Sequence, residues 1–148
     1  MASLWEEPRR QELITRLDRL TPEASRRWGK FTCPAMLAHV NDALRIPLGE
    51  VTPAPKKLPF RFFPLKQLII YVLPFPKGAP TAPMLLARCE TAVFAEEVQA
   101  FRKLLGRLAQ RGDQSTWPAH PAFGSMSHRD WGVLGYRHID HHFTQFGV

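Results

Sequence analysis

Prolines constrain this chain most strongly, because they exclude a long helix from its middle. They occupy positions 47, 53, 55, 59 and 64. A proline inside a helix removes a backbone hydrogen bond and its ring clashes with the preceding turn. We therefore expect an irregular crossover after residue 46, interrupted by a short helix over 65–73 and closed near residue 83. Long regular elements must lie on either side of it.

Helical periodicity marks four longer segments outside the crossover. Apolar residues recur at helical spacing over 8–20, 33–46, 90–110 and 128–146. Thr32 can cap the second helix, and Ser127 with Asp130 forms a capping-box pattern before the last one. No strand-like alternation extends beyond a few residues. The sequence predicts a single all-α domain over 1–148, built as a four-helix bundle whose second and third long helices are joined by the proline-rich crossover.

Charge and cysteine content narrow the classes of function. Cys33 and Cys89 form no CxxC pair, and the first residues mix acids with arginines, unlike a signal peptide. These features predict a reduced, cytoplasmic protein. The 20 Lys and Arg against 13 Asp and Glu give a net charge of +7. The basic residues are scattered in short pairs, so we interpret them as solvated surface and expect no nucleic-acid partner.

The most apolar stretch, over 58–75, is not a transmembrane helix. It contains Arg61, Lys66 and three prolines, and its uninterrupted apolar run is too short to cross a bilayer. A basic, aromatic-rich segment of this kind can lie on a membrane surface. We nevertheless expect neighbouring helices to bury it, since large apolar patches are rarely left exposed.

Histidines are concentrated in the last predicted helix. His138, His141 and His142 lie within five residues. Residues four apart share a helical face, so His138 and His142 present two imidazoles to one point, as in two-histidine metal sites. Gly135 lies on the same stripe and would admit a close helix neighbour. His120 and His128 lie in loop or helix-start positions, and we assign them no ligand role.

His39 is the candidate for a third metal ligand. It interrupts the apolar stripe of the second helix, where an unpartnered histidine is costly to bury. Asp42, one turn later, could accept a hydrogen bond from a ligand ring or a metal-bound water, while His141 and Gln145 are candidates for orienting ligands or substrate. The competing interpretation makes His39 a hydrogen-bonded core residue and lets the last histidines stabilise a helix C-terminus. The pattern alone leaves both interpretations open.

Cys33 offers a different chemistry. A thiol near a helix N-terminus has a lowered pKa and can act as a nucleophile. Cys33 lies six residues before His39, however, which is more than one helical turn away. We therefore predict that Cys33 is a core residue.

These motifs resemble the DinB-like (YfiT-like) superfamily of metal-dependent four-helix-bundle proteins. The matching text is TCPAMLAHV, which carries His39, and HIDHHFTQFG, which carries His138, His142 and Gln145. The segments WGKFTCPAMLAHVNDALR, PKGAPTAP and HPAFG are similar to a bacterial branch of that superfamily. The likeness follows the order of elements over nearly the whole chain.

The resemblance implies an up-down-down-up bundle, frequent homodimers and one divalent metal ion on His39, His138 and His142. Zinc and nickel are the first candidates, followed by manganese and iron. Relatives include transferases and isomerases that use low-molecular-weight thiols. Three imidazoles leave a coordination position open, as in catalytic zinc sites. The expected function is therefore a metal-dependent transferase, isomerase or hydrolase-like enzyme acting on a small molecule. The alternative is a non-catalytic, metal-stabilised binding or stress-response module.

Overall fold

The regular elements of the protein are helices. A computed structural model describes residues 1–56, 58–77, 88–113 and 116–148. The helices are α1 (Glu7–Leu17), α2 (Cys33–Arg45), α3 (Leu65–Tyr71), α4 (Phe94–Arg111) and α5 (His128–Gln145), with a 3-10 turn at Pro59–Arg61. Within the described ranges the only β interaction is an isolated bridge between His120 and Gly124. The predicted all-α class is confirmed, and no described helix is long and apolar enough to span a bilayer.

Side-chain caps begin the two helices that carry the histidines. The Thr32 hydroxyl accepts a hydrogen bond from the Ala35 N–H at 3.3 Å at the start of α2. At the start of α5, Ser127 accepts from the Asp130 N–H at 3.1 Å, and Asp130 accepts from the Ser127 N–H at 3.0 Å. The predicted cap and capping box are therefore both confirmed.

Two helix boundaries differ from the predictions by three residues or more. Helix α1 ends at Leu17, before the predicted end at residue 20, although Leu20 remains buried by packing after the helix has stopped. Helix α4 begins at Phe94 rather than near residue 90, because the backbone of Val93 is extended (φ −102°, ψ 118°). Apolar periodicity continued past both ends, which is why the sequence alone overestimated these helices.

The four long helices share one apolar core. Helix α2 packs against α4 and α5, and α1 packs against the same two helices. The core includes Leu13 and Leu17 of α1, Met36, Leu37 and Val40 of α2, Phe101, Leu105 and Leu108 of α4, and Ile139 and Phe143 of α5. Arg16 also joins α1 to the end of α5, donating to the Asp140 carboxylate at 2.7 Å and to the Val148 carbonyl at 2.9 Å. This packing sets α2 beside α5.

The N-terminal segment crosses α5 where that helix carries glycines. The Leu4 N–H donates to the Gly132 carbonyl at 3.0 Å. A Cβ atom on Gly132 would lie 2.3 Å from the Ser3 hydroxyl, and one on Gly135 would lie 2.5 Å from Leu4 Cδ1. The prediction that Gly135 admits a close neighbour is correct, but that neighbour is the N-terminal segment and not a helix.

The crossover helix α3 is attached to α5 by its inner side. Ile70 is fully buried, the Tyr71 hydroxyl donates to Asp130 at 2.6 Å, and Arg137 donates to the Ile69 carbonyl at 2.9 Å. The expectation that neighbouring helices bury this stretch is wrong for its outer side. Within the described residues α3 packs on one helix only, α5, so its other side faces solvent. The large apolar side chains that the stretch exposes are Phe62, Phe63, Leu65, Leu68, Val72 and Leu73.

We predict that His120 makes the fold acid-sensitive. Its Nδ1 accepts from the N–H groups of Ala122 at 3.1 Å and Phe123 at 3.3 Å. Burial, helped by the nearby charge of Lys66, lowers the pKa of His120 from its ordinary value of 6.5 to about 4. The unfolded chain therefore binds more protons between these values, and the free energy of unfolding must fall as the pH drops from 6.5 through 4.

The variant His120→Asn tests this, since an amide oxygen can accept the same hydrogen bonds without titrating. Urea unfolding of both proteins at neutral pH and at about pH 4 measures the difference. The wild type should lose more stability than the variant over this interval. Equal losses in the two proteins would show that His120 contributes nothing to the acid sensitivity.

Candidate metal centre

The packing of α2 against α5 brings His39, His138 and His142 together. One ring nitrogen from each residue lies within 4.8 Å of those of the other two. The ring centroids are 5.0 Å apart for His39 and His138, 4.9 Å for His39 and His142, and 4.8 Å for His138 and His142. The rings meet at 79°, 73° and 80° respectively. The predicted ligand set thus forms a nearly equilateral cluster whose rings do not stack.

The spacing of the nitrogens fits ligands of one ion. His39 Nε2 and His138 Nε2 are 3.1 Å apart. Around a tetrahedral zinc ion with ordinary zinc–nitrogen bonds, neighbouring ligand nitrogens are separated by about 3.3 Å. A hydrogen bond between two neutral rings would also explain this pair, but not the convergence of the third ring of His142. The cluster is therefore able to hold a divalent metal ion.

Burial keeps the three rings neutral. It lowers the pKa of His39 to about 3 and that of His142 to about 4, and neighbouring imidazoles contribute to the shift at both residues. The pKa of His138 is lowered well below its ordinary value by burial and then by His142 and His39. Metal coordination requires the unprotonated ring. At neutral pH each ring already offers a free nitrogen lone pair.

Gln145 fixes the orientation of His142. The Gln145 Nε2 group donates to the Trp28 carbonyl at 2.7 Å, so its Oε1 atom must face His142 Nδ1, 2.9 Å away. His142 then donates through Nδ1 and keeps the lone pair on Nε2. Hydrogen bonds of this kind orient ligand imidazoles and raise their basicity in metal sites. Gln145 is 3% exposed, so the arrangement is shielded from water.

The turn at Trp28 and Gly29 holds Gln145 in place. A Cβ atom at residue 29 would lie 2.4 Å from Gln145 Nε2, and Gly29 has φ +80°. The Arg27 N–H donates to the Gln145 carbonyl at 2.7 Å. The sequence identified Gln145 but not this partner. A glycine in a short connection signals only a turn, and nothing in it indicates contact with a helix more than a hundred residues later.

Asp42 lies outside the histidine cluster. Three residues separate it from His39, which turns it about 60° around the helix, toward α4. Its Oδ1 accepts from Arg45 Nη1 and Arg88 Nε, both at 2.8 Å. Arg88 also bonds Glu97, whose carboxylate accepts from Asn41 at 2.8 Å. In the described part of the chain Asp42 makes no hydrogen bond to the three histidines, and it belongs to a network that links α2 to α4 through the exposed Arg88.

His141 lies at the edge of the cluster. Its ring centroid is 5.2 Å from that of His142, 5.7 Å from Trp28 and 5.9 Å from Phe75. These aromatic residues and His141 border a pocket of about 290 Å³, which is also lined by Pro74, Lys77, Arg137, Asp140 and Thr144. His141 therefore borders both the cluster and this pocket, and the described lining of the pocket contains His141 but none of the three clustered histidines.

Two aromatic rings form walls that the sequence did not indicate. Phe31 stacks on His39 at 5.2 Å and 29°, and Phe75 lies 6.4 Å from His138. His39 Nδ1 is buried and has no hydrogen-bond partner within the described residues. Packing against Phe31 therefore orients this ring. Both phenylalanines lie in connections, where apolar periodicity carries no information.

The remaining candidates behave as predicted. His128 stacks on Trp5 at 4.5 Å and lies 5.6 Å from Trp117, and His120 supports its own turn, so neither is part of the cluster. Cys33 is 1% exposed, and burial raises the pKa of its thiol to about 11. A protonated, buried thiol is a poor nucleophile, and the prediction of a core residue is confirmed.

Comparison with known proteins found no similar protein that would indicate a function for this site. No model of a protein family matches the sequence, and searches of curated proteins and of solved structures found no significant match. The assignment therefore depends on the geometry of the residues.

Replacement of Gln145 should weaken metal binding. Gln145→Leu removes the acceptor for His142 Nδ1 and leaves that N–H buried and unpaired, so we expect an affinity for zinc about 10- to 100-fold lower. Competition with a chromophoric chelator measures this. Gln145→Glu keeps an oxygen acceptor for His142 but loses the donor to the Trp28 carbonyl, so it should recover only part of the loss. Equal affinities for Gln145→Leu and the wild type would show that this hydrogen bond does not orient a ligand.

The two glycines with similar backbone angles provide a matched pair. Gly29 has φ +80° and Gly49 has φ +77°, but a Cβ atom at residue 49 has no neighbour within 4 Å. Alanine at either position should cost on the order of 1 kcal/mol through backbone strain. Only Gly29→Ala should also reduce zinc affinity, because it displaces Gln145. Thermal denaturation and zinc titration of both variants separate these effects, and a parallel loss of affinity in Gly49→Ala would contradict the explanation.

Proposed function

We propose that this chain is a DinB-like metalloprotein that binds one divalent ion through His39, His138 and His142. Two observations support this proposal. The four long helices share one core, and the three histidines lie on facing helices, as the ligands do in metal-binding helix bundles. An up-down-down-up bundle is the topology that we propose for these helices. Three imidazole nitrogens favour zinc or nickel, with manganese or iron as less suited alternatives.

We infer that the site is catalytic: a metal-dependent transferase, isomerase or hydrolase-like enzyme with a small-molecule substrate. The observation that carries this inference is the number of ligands. The cluster supplies three nitrogens, two of them from the partly exposed residues His39 and His138. A four-coordinate ion held by three protein ligands keeps a position for a water or substrate. When bound, such an ion acidifies a coordinated water or thiol and so supplies a nucleophile at neutral pH.

The residues around the cluster would position the reaction. Gln145 holds His142 in one orientation, and Phe31 covers the face of His39. The adjoining pocket carries the ring of His141 and the ammonium group of Lys77, which lies 4.6 Å from the Trp28 ring. Lys77 suits an anionic group on the substrate, and His141 can exchange a proton with it. A low-molecular-weight thiol fits a pocket of about 290 Å³.

A non-catalytic, metal-stabilised module is the second candidate. The observation in its favour is the enclosure of the cluster: His142 is 9% exposed and Gln145 is 3% exposed. An ion held between α2 and α5 would then act as a staple that joins the two helices. This role needs no substrate.

Metal analysis combined with an activity screen distinguishes these functions. Protein purified without added metal should contain zinc or nickel, and its melting temperature should fall when a chelator removes the ion. His39→Ala should lose the ion, whereas His128→Ala, which removes a histidine remote from the cluster, should keep it. The loaded protein should convert an electrophile in the presence of a small thiol, or hydrolyse it, faster than His39→Ala does.

Each outcome decides one part of the proposal. Metal content and thermal stabilisation without turnover above the His39→Ala control would favour the module. Equal metal content in His39→Ala and the wild type would refute the three-histidine site itself. Loss of turnover in His141→Ala with full metal content would place this residue in substrate handling.

A further inference from the structure

The crossover carries most of the excess positive charge of the chain. Between Glu50 and Glu90 the sequence contains no acidic residue. The same interval contains six basic residues: Lys56, Lys57, Arg61, Lys66, Lys77 and Arg88. The whole chain has a net charge of +7, so the remaining residues nearly balance one another. The basic residues themselves are spread along the chain, but the excess of cations over acids lies almost entirely between Glu50 and Glu90.

The same segment exposes most of the large apolar side chains. We call Phe62, Phe63, Leu65, Leu68, Val72 and Leu73 the crossover face. Within the described residues only Met1 and Val93 are other large apolar side chains with comparable exposure. Phe63 is 82% exposed and Phe62 is 70% exposed. Leu65, Leu68 and Val72 follow i, i+3, i+7 spacing, so they form one stripe along α3.

The segment that carries the crossover face is attached to α5 by its inner side. Ile70 is buried against Trp131, and Tyr71 donates to Asp130 at 2.6 Å. Arg137 donates to the Ile69 carbonyl at 2.9 Å and also bonds the carbonyls of Ile70 and Leu73. The apolar side chains are therefore presented by a segment whose inner side is fully engaged. Their exposure does not come from a loosely attached loop.

Basic groups border the crossover face. Arg61 and Lys66 line a cavity of about 660 Å³ together with Phe62 and Phe63. The one carboxylate in this cavity, Asp130, is already hydrogen-bonded to Tyr71 and lies 3.5 Å from Lys66. Lys56 is exposed, and its backbone N–H donates to the Pro121 carbonyl at 2.8 Å. A segment that carries both exposed apolar side chains and cations forms the kind of surface that anionic lipid bilayers attract.

We propose that the crossover face docks this protein reversibly on an anionic lipid surface. Phe62, Phe63 and the leucines would enter the boundary between headgroups and acyl chains, while Lys56, Arg61 and neighbouring cations would face lipid phosphates and carboxylates. The contact is peripheral and does not require a spanning helix. The proposal does not depend on the metal centre.

Charge complementarity favours a lipid surface over two other possible binding partners, a second copy of the chain and a nucleic acid. Two copies meeting through this face would bring together two segments that carry cations and no acids, which repel each other. Nucleic acid would satisfy the cations, but exposed aliphatic side chains such as Leu68, Val72 and Leu73 gain little from a phosphate backbone, since binding there depends on charge and aromatic stacking. A bilayer satisfies both the cations and the aliphatic groups.

Vesicle sedimentation of the whole 148-residue chain tests the proposal. The vesicles contain phosphatidylcholine alone, or phosphatidylcholine with about one third phosphatidylserine. We expect binding to the anionic vesicles, weaker binding as salt increases, and little binding to the neutral ones. The double variant Phe62→Ser with Phe63→Ser should lower the partition coefficient at least about tenfold. Val93→Ser, which removes an exposed apolar side chain elsewhere, should have no effect.

Charge variants provide an independent check that does not alter apolar surface. Lys56→Gln should weaken binding to anionic vesicles about threefold to fivefold, whereas Lys103→Gln, the same change at an exposed position on α4, should not. Far-ultraviolet circular dichroism and melting temperature confirm that each variant is folded. Both side chains protrude into solvent, so neither variant should change these values.

Three results would overturn the proposal. The first is no binding to anionic vesicles at low salt. The second is binding that Phe62→Ser with Phe63→Ser leaves unchanged. The third is evidence for another binding partner. Loss of a dimer in the double variant, measured by sedimentation velocity, would show that a second copy of the chain binds this face. Weaker binding of Lys56→Gln to a duplex oligonucleotide, with no binding to vesicles, would show that nucleic acid binds it.

Discussion

The contact between α2 and α5 is the interaction on which the rest of the protein depends. Val40 of α2 and Ile139 and Phe143 of α5 are fully buried in the shared core, and each is one residue from a histidine of the cluster. The same register that buries these apolar side chains therefore turns His39 toward His138 and His142. A shift of α2 along α5 by one residue would expose core surface and separate the ring nitrogens. Fold stability and site geometry are thus coupled through one interface.

The space between α2 and α5 contains a polar cluster, although apolar side chains would cost less free energy to bury there. Three neutral imidazoles occupy the space between two helices, and His39 Nδ1 lacks a hydrogen-bond partner within the described residues. Buried polar groups without partners cost free energy. Among the described residues of the neighbouring network, Asn41 Oδ1 and Asp42 Oδ2 are likewise buried without a partner, although the Glu97 carboxylate accepts from Asn41 and Arg88. The cluster differs because three ionisable rings converge on one point, which is typical of a functional site, where local stability is given up for chemistry.

Periodicity and spacing identified the candidate residues of the site that lie on helices, although the pattern alone left open whether they meet. His39, His138 and His142 were identified because helical spacing and apolar neighbours determine where a side chain points. The contacts made by connections could not be predicted in this way. The turn that carries Gly29 reaches Gln145, and Phe31 and Phe75 cover the rings, but none of these residues lies in a regular pattern. Asp42 was placed on the correct helix, yet the 60° or so that separates it from His39 was enough to direct it to Arg88 instead.

The exposure of α3 also could not be predicted from the sequence. An apolar segment such as 58–75 is buried in most proteins, and only the packing of the whole chain shows that α5 covers a single side of it. The distribution of charge was visible in the sequence, but its meaning depended on which apolar residues remained in contact with solvent. Counting cations along the chain did not reveal the arrangement, because composition does not record position on a surface.

The separation of the ligands along the chain has a consequence for how the protein is made. His39 and His138 are 99 residues apart, so their meeting closes most of the polypeptide into a loop. During synthesis the first imidazole leaves the ribosome long before the other two, and the cluster exists only after α5 has emerged and folded back onto α2. An ion held by the three rings would therefore bind only after α2 and α5 have packed together, and its binding would report that this contact has formed.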